Sequence, residues 1–203
     1  TSCLLGGIPV LSNGVDPPQY WPLTGKCAML TNWPASNYTA QSVRVFKNSL
    51  IALNITKAGV NYPFMVKWSH PADPGTVPTT WDPTDATKDA GEFDLSEGYD
   101  KVIDGLTLKD SFMVYRESSI YRLDYVGGTF VYKNQKVMGA SGILAKNCMV
   151  EIGGGELHFV LSSSDCMVHD GYNATSVLDK QSRRYLFQQI DPTYSDRCFV
   201  FVN

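Results

Sequence analysis

Charged residues are scarce in this chain of 203 residues, where they make up 18%, against about 25% in ordinary soluble domains. Positive charge is not concentrated either. The chain has 17 basic and 20 acidic residues, and its closest basic group is Lys180 with Arg183 and Arg184. A protein that holds DNA presents a basic stripe to the phosphates. The composition therefore predicts no tight binding to nucleic acid.

Long apolar runs are also missing. No stretch approaches the ~20 apolar residues that cross a bilayer, and no signal peptide opens the chain. We therefore expect no membrane span. The first residue is not Met, and residues 198–203 form an apolar, strand-like ending. We expect the chain to be a fragment of a longer polypeptide.

The cysteines lack the pattern of a disulfide scaffold or a metal site. Their number is odd, and no two of them form a C-x-x-C pair. Thiols stay reduced in a cytosolic environment. We predict that all five are unbridged: Cys3, Cys27, Cys148, Cys166 and Cys198.

Motifs for catalysis or for a cofactor are absent as well. The three histidines, His70, His158 and His169, do not form an H-x-x-H or H-E-x-x-H pattern. His158 lies between two apolar residues of a strand pattern, which favours a structural role. Residues 139–142 superficially resemble a serine elbow but lack the G-x-S-x-G spacing. We therefore predict no enzyme activity, no cofactor and no resident metal.

Strand signals dominate what is present. Residues 43–55 alternate around a polar turn, which is typical of a hairpin, and strand pairs recur near residues 111 and 147 with glycine-rich turns. One helix is predicted at 176–190. The pattern indicates an all-β protein of short antiparallel meanders, either partial or complete propeller-like blades or an open sandwich. Residues 1–40 are predicted as an extended arm with short strands, and 41–203 as the body.

A proline-rich, acidic segment at 69–110 interrupts the strands and is predicted as a long surface loop. Trp68 and Trp81 are predicted to anchor its ends to the sheet, because prolines remove backbone donors and leave the anchoring to side chains. The carboxylates lack the order of an EF-hand, so a solvated loop is favoured over a calcium site. The candidate residues for a channel lining or a subunit interface are Asp82, Asp85, Asp89, Glu92 and Asp94.

Several motifs follow one another in an order that resembles the tail nozzle proteins (tail tubular protein B) of short-tailed, podovirus-type bacteriophages. The longest of them ends a strand with Trp-Ser and continues into a Pro-x-x-Trp-Asp loop. Together the motifs cover nearly the whole chain, which is more specific than any one alone. They comprise residues 7–10, 13–14, 18–21, 66–82, 89–95, 103–106, 114–120, 125–128 and 168–171.

The resemblance implies a propeller-rich structural subunit of the virion tail. Such subunits assemble in the host cytoplasm into a ring, a hexamer in the family, below a tail adaptor. DNA would pass through the ring as cargo without being held. No catalytic residues belong to this role. Members of the family are several times longer than this chain, so the chain would supply only some of the blades.

Two alternatives stay open. The first is a receptor- or glycan-binding module of a virion, because exposed aromatic side chains such as Trp68, Trp81 and Tyr99 could stack on sugars. The second is a cell-wall hydrolase, because a catalytic pair of carboxylates is defined in space and cannot be read from sequence order.

Overall fold

The structure is a computed structural model that describes residues 1–128 and 130–203. Sixteen strands in the described part of the chain form four antiparallel sheets, and each sheet contains four strands that follow one another along the chain. The predicted all-β class is confirmed. Each sheet is an up-and-down meander, which is the strand order found in propeller blades.

Contacts divide the chain into two compact units. Unit 1 comprises residues 1–102 and 125–133, and unit 2 comprises residues 103–124 and 134–203. The division expected from the sequence, an arm over 1–40 and a body over 41–203, stays a prediction.

The first sheet is formed within residues 1–40. Its strands are short, and their buried apolar residues are few. Leu5 and Val10 join Leu30 and Trp33 in the core of unit 1. The four strands are β1 (Ser2–Leu5), β2 (Ile8–Leu11), β3 (Gln19–Tyr20) and β4 (Ala28–Met29).

The second sheet contains the longest strands and the hairpin predicted at 43–55. Lys47 adopts a left-handed backbone at the two-residue turn, and residues 49–55 are buried without interruption. A bulge at Asn54 shifts the register. Its buried amide is satisfied, since Asn54 Nδ2 donates to the Val102 carbonyl at 3.0 Å. The strands are β5 (Tyr38–Phe46), β6 (Ser49–Lys57), β7 (Val60–Trp68) and β8 (Gly91–Asp94).

The acidic loop is shorter than the sequence predicted. It is divided into two irregular parts, residues 69–90 and 95–101, because β8 and the next strand, β9 (Val102–Leu108), lie inside the predicted range 69–110. Two of the acidic residues of these strands, Glu92 and Asp104, are not solvated loop residues. Asp104 is fully buried, and its carboxylate accepts the backbone N–H groups of Gly105 and Asn147. Because the segment is acidic overall, the alternation of apolar residues in β8 and β9 was not recognised as a strand pattern.

The third and fourth sheets follow the predicted strand positions near 111 and 147. Both belong mainly to unit 2, and their apolar residues share one core that includes Met113, Ile120 and Val160. The remaining strands are β10 (Ser111–Arg116), β11 (Ile120–Tyr125), β12 (Tyr132–Met138), β13 (Met149–Ile152), β14 (Leu157–Leu161), β15 (Cys166–His169) and β16 (Ala174–Ser176).

The predicted helix at 176–190 is present but shorter. Helix α1 spans Lys180–Gln189, and the Asp179 side chain caps it by accepting the Ser182 N–H. Strand β16 occupies the first residue of the predicted range, so the helix begins only after the cap. No helix in the described part of the chain is long and apolar enough to cross a membrane.

All five cysteines are free thiols in the structure. Burial raises the pKa of Cys148 to about 11 and also raises the pKa of Cys166. Cys27 is exposed. The thiolate is the reactive species, so the buried cysteines are expected to react slowly in the native protein.

Thiol titration checks this expectation. Without any reductant, the denatured protein should yield about five thiols. In the native protein Cys27 should be modified first, and Cys148 and Cys166 only on unfolding. A yield of one thiol after denaturation, or modification of Cys148 as fast as of Cys27, would contradict the assignment.

Candidate functional site

Of the two predicted anchors, Trp68 directly precedes the irregular segment 69–90, and Trp81 lies within it. The Trp81 side chain is 1% exposed and packs edge-to-face against Trp33, with ring centroids 4.8 Å apart. Trp68 is the last residue of β7, and its indole Nε1 donates to the Asp89 carbonyl at 2.7 Å. The positions suit the anchoring role, whose energetic weight stays a prediction.

The five candidate carboxylates are not equivalent. Asp82 and Asp85 lie in turns in which each accepts hydrogen bonds from a threonine two residues later, Thr84 and Thr87. These hydrogen bonds lower the pKa of both aspartates. Asp94 is exposed, and Asp89 is half-buried. In the described part of the chain, no three His, Cys, Asp or Glu side chains converge as metal ligands would.

Glu92 differs from the others because it forms ion pairs with two lysines. Its Oε1 lies 2.7 Å from Lys57 Nζ, and its Oε2 lies 2.8 Å from Lys67 Nζ. Lys67 is the direct neighbour of Glu92 across strands β7 and β8. Burial lowers the pKa of the Lys67 ammonium, against the opposing effect of Glu92. Burial alone would raise the pKa of Glu92, but the two lysines hold it below its ordinary value.

This ion-pair triad borders a cavity of about 380 Å³ in unit 1. The volume falls in the ~300–1,000 Å³ range of ligand pockets. Trp81 forms part of the wall, and its indole N–H has no acceptor among the described residues. The side chains that line the cavity combine donors, acceptors and apolar surface: Asn32, Pro34, Tyr38, Lys57, Lys67, Thr80, Trp81, Asp82, Pro83 and Glu92.

Two of the three histidines, His158 and His169, meet at one buried tyrosine in unit 2. The hydroxyl of Tyr115 lies 2.6 Å from His158 Nδ1 and 2.7 Å from His169 Nε2. His158 Nε2 lies 2.8 Å from the Thr107 carbonyl, so this nitrogen carries a proton. His169 Nδ1 accepts the N–H of Gly171 at 3.1 Å.

These contacts assign every proton of the network. In the neutral tautomers, Tyr115 donates to His158 Nδ1 and accepts from His169 Nε2–H. Burial lowers the pKa of both histidines to about 4, and burial raises the pKa of Tyr115 far above its ordinary value. Each of the three side chains has a hydrogen-bond partner at every polar atom, and none of them lines the cavity beside Trp81. The arrangement suits a structural link between β10 and the β14–β15 hairpin, as predicted for His158.

The pairing of His158 with His169 was not predicted from the sequence, although a signal for it was present. The four-residue turn 162–165 fixes Leu161 opposite Cys166, and the register then places the two histidines opposite each other. Tyr115 comes from another sheet, and no local pattern points to it. The ion pairs of Lys57 and Lys67 with Glu92 were not predicted for the same reason, because no local pattern in the sequence indicates that these residues meet.

The glycine-serine motif at 139–142 has a packing role. Gly142 lies directly against the backbone of Arg116, where a Cβ atom would overlap the Arg116 carbonyl. The next residue, Ile143, donates its N–H to that same carbonyl at 3.0 Å. The motif therefore joins an irregular segment to the end of β10.

Comparison with known proteins supports the fold class and nothing narrower. No protein-family model matches the chain, and no curated protein matches its sequence. Among solved structures, the chain is similar to the extracellular domain of a proposed one-component system from B. thetaiotaomicron, with a TM-score of 0.53 and 11% identity. The match covers 89% of this chain and 22% of the other chain. The fold thus defines the chain as an all-β module built from four-stranded meanders.

Proposed function

We propose that this chain is a blade-forming segment of a structural protein in the tail of a short-tailed phage, where copies assemble into a ring that conducts DNA. The succession of four-stranded meanders carries the proposal, because consecutive blades of this kind build propellers. The proposed ring is a hexamer attached to a tail adaptor, as the resemblance implies.

The roles of the motif residues support a structural function. Tyr115 and His169 lie in two of the segments that resemble the nozzle family, and both belong to the buried hydrogen-bond network. Trp68 and Trp81 lie in a third such segment and are buried. Residues that carry the resemblance therefore hold the fold together.

Exposed apolar side chains support a role in assembly. In the proposed ring, exposed apolar side chains of both units would be covered by neighbouring subunits. In unit 1 they include Leu4, Leu11, Trp21 and Met29, and in unit 2 they include Tyr172, Tyr185, Phe199 and Phe201.

A hydrolase is less well supported. Asp82 and Glu92 both line the cavity, but the pKa of each carboxyl is lowered. A glycosidase needs one carboxyl whose pKa is raised, so that it can donate a proton to the leaving group. Asp82 and Glu92 are therefore both ionised carboxylates, and neither of them can serve as the general acid.

Electron microscopy of the polypeptide that contains this chain tests the proposal. We expect a ring with a channel wide enough for duplex DNA. The exposed carboxylates Asp82 and Asp94 would repel phosphates, so DNA should bind no tighter than about 1 μM at physiological salt. A monomer without a channel, or tight DNA binding that weakens steeply with salt, would refute it.

A further inference from the structure

The cavity beside Trp81 has a chemistry that the structural role does not require. Its polar groups come from four strands and two loops of unit 1, and Lys67 among them is only 3% exposed. Burying an ammonium group is costly, and a protein that only needs packing would place an apolar side chain there. We propose that the cavity binds a neutral sugar unit of a glycan.

Charge balance favours a neutral ligand. The two ammonium groups of Lys57 and Lys67 stand against the two carboxylates of Glu92 and Asp82, so the cavity has no net charge to attract an ion. Glu92 already uses both oxygens on the lysines. Each ammonium has three N–H donors, and two of them on each lysine are left after the bond to Glu92.

The alternation of donors and acceptors favours hydroxyl groups. A sugar hydroxyl donates one hydrogen bond and accepts others, so adjacent hydroxyls can bridge an ammonium donor and a carboxylate acceptor. The amide of Asn32 and the hydroxyl of Tyr38 add groups that can do either.

Apolar surface in the same cavity suits the C–H face of a sugar ring. Aromatic side chains combine an apolar face with a polar edge, and the half-buried Tyr38 lines the cavity, whereas the Trp81 ring is buried behind its wall. Pro34 and Pro83 continue this surface. Both prolines also limit the backbone freedom of the two loops, which reduces the entropy lost on binding.

Titration with defined sugars tests the site. Methyl glycosides of glucose, galactose, mannose and N-acetylglucosamine would be added to the full chain, with binding followed by saturation-transfer NMR and by tryptophan fluorescence. We expect at least one of them to bind with a dissociation constant of about 1 mM, a weak single-site affinity. Acetate and inorganic phosphate, used as anionic probes, should not compete.

Two pairs of variants locate the binding. Lys57→Ala and Asp82→Asn should each weaken binding at least about tenfold, the loss of one good hydrogen-bonding group. Lys26→Ala and Asp73→Asn are matched controls, because both residues are exposed in unit 1 and do not line the cavity. Lys57→Ala leaves the Lys67–Glu92 pair in place, and unchanged fluorescence of the unliganded variant would show that it folds.

Three outcomes would overturn the proposal. The first is that none of the four glycosides binds at up to about 20 mM, far above the expected constant. The second is equal binding by the cavity variants and their controls, which would place the sugar elsewhere. The third is stronger binding of acetate or phosphate than of any glycoside. Since the proposal rests on the cavity alone, none of these results bears on ring formation.

Discussion

Acidification from pH 7 to pH 4.5 is expected to destabilise unit 2 strongly, because its buried histidines are neutral in the folded state. Burial lowers the pKa of His158 from 6.5 to about 4, and burial together with the charge of His158 does the same for His169. An unfolded chain takes up both protons below pH 6.5, whereas the folded unit does not. The stabilising effect is therefore complete above pH 6.5 and is lost as pH falls towards 4.

The geometry of the network explains the cost of protonation. A proton on His158 Nδ1 would face the Tyr115 O–H, and a proton on His169 Nδ1 would face the Gly171 N–H. The lowered pKa corresponds to about 3 kcal/mol for each histidine. Between pH 6.5 and 4, we expect the free energy of unfolding to fall by about 1.4 kcal/mol per pH unit for each histidine. For the two histidines together, the fall is about 2.7 kcal/mol per pH unit.

Amide hydrogen exchange, measured by mass spectrometry at a series of pH values, resolves this effect within unit 2. Peptides covering 111–125 and 157–170 should lose protection between pH 6.5 and 4.5, after correction for the intrinsic exchange rate. Tryptophan fluorescence does not report on unit 2, because all four tryptophans, Trp21, Trp33, Trp68 and Trp81, lie in unit 1.

Substituting one histidine separates this network from other acid effects. In His169→Gln the amide N–H can still donate to Tyr115 but does not titrate, so the pH slope should fall by about half. His70→Gln is the control, because His70 lies in unit 1 and outside the network. The same slope in His169→Gln and in the unsubstituted protein would show that the network is not responsible.

Trp81→Ala is expected to destabilise unit 1 by about 3–5 kcal/mol, the usual cost of deleting a buried tryptophan ring. The side chain is almost completely buried in the unit 1 core, and its removal takes away the edge-to-face contact with Trp33. It also loosens the irregular segment 69–90 around position 81, and the four prolines of this segment provide no N–H donors.

Urea unfolding of unit 1, followed by tryptophan fluorescence, measures this loss. Trp21→Ala is the matched control, because Trp21 is 39% exposed and its removal should cost less than about 1 kcal/mol. A loss in Trp81→Ala no larger than in the control would show that Trp81 does not anchor the segment.

Local patterns in the sequence were enough to predict the class of fold. The hairpin at 43–55 was predictable because polar residues at 47–49 interrupt two apolar runs, and β10, β11 and β13–β15 show equally plain alternation bounded by turns. β8 and β9 were not recognised, because Glu92, Asp94 and Asp104 gave an acidic appearance to strands in which Glu92 is paired and Asp104 is buried. The length of α1 depended on the position of its Asp179 cap.

What the sequence by itself determined is the succession of short strands and turns, since periodicity and turn chemistry act between near neighbours. The tertiary structure alone decided which distant groups meet. It brought Lys57 and Lys67 to Glu92 beside the Trp81 cavity, and it placed Tyr115 between His158 and His169. Such contacts depend on strand register and on the packing of one sheet against another, and burial then sets the charge state of each group. The packing of the sheets and the burial of each group are not encoded in the spacing of residues along the chain.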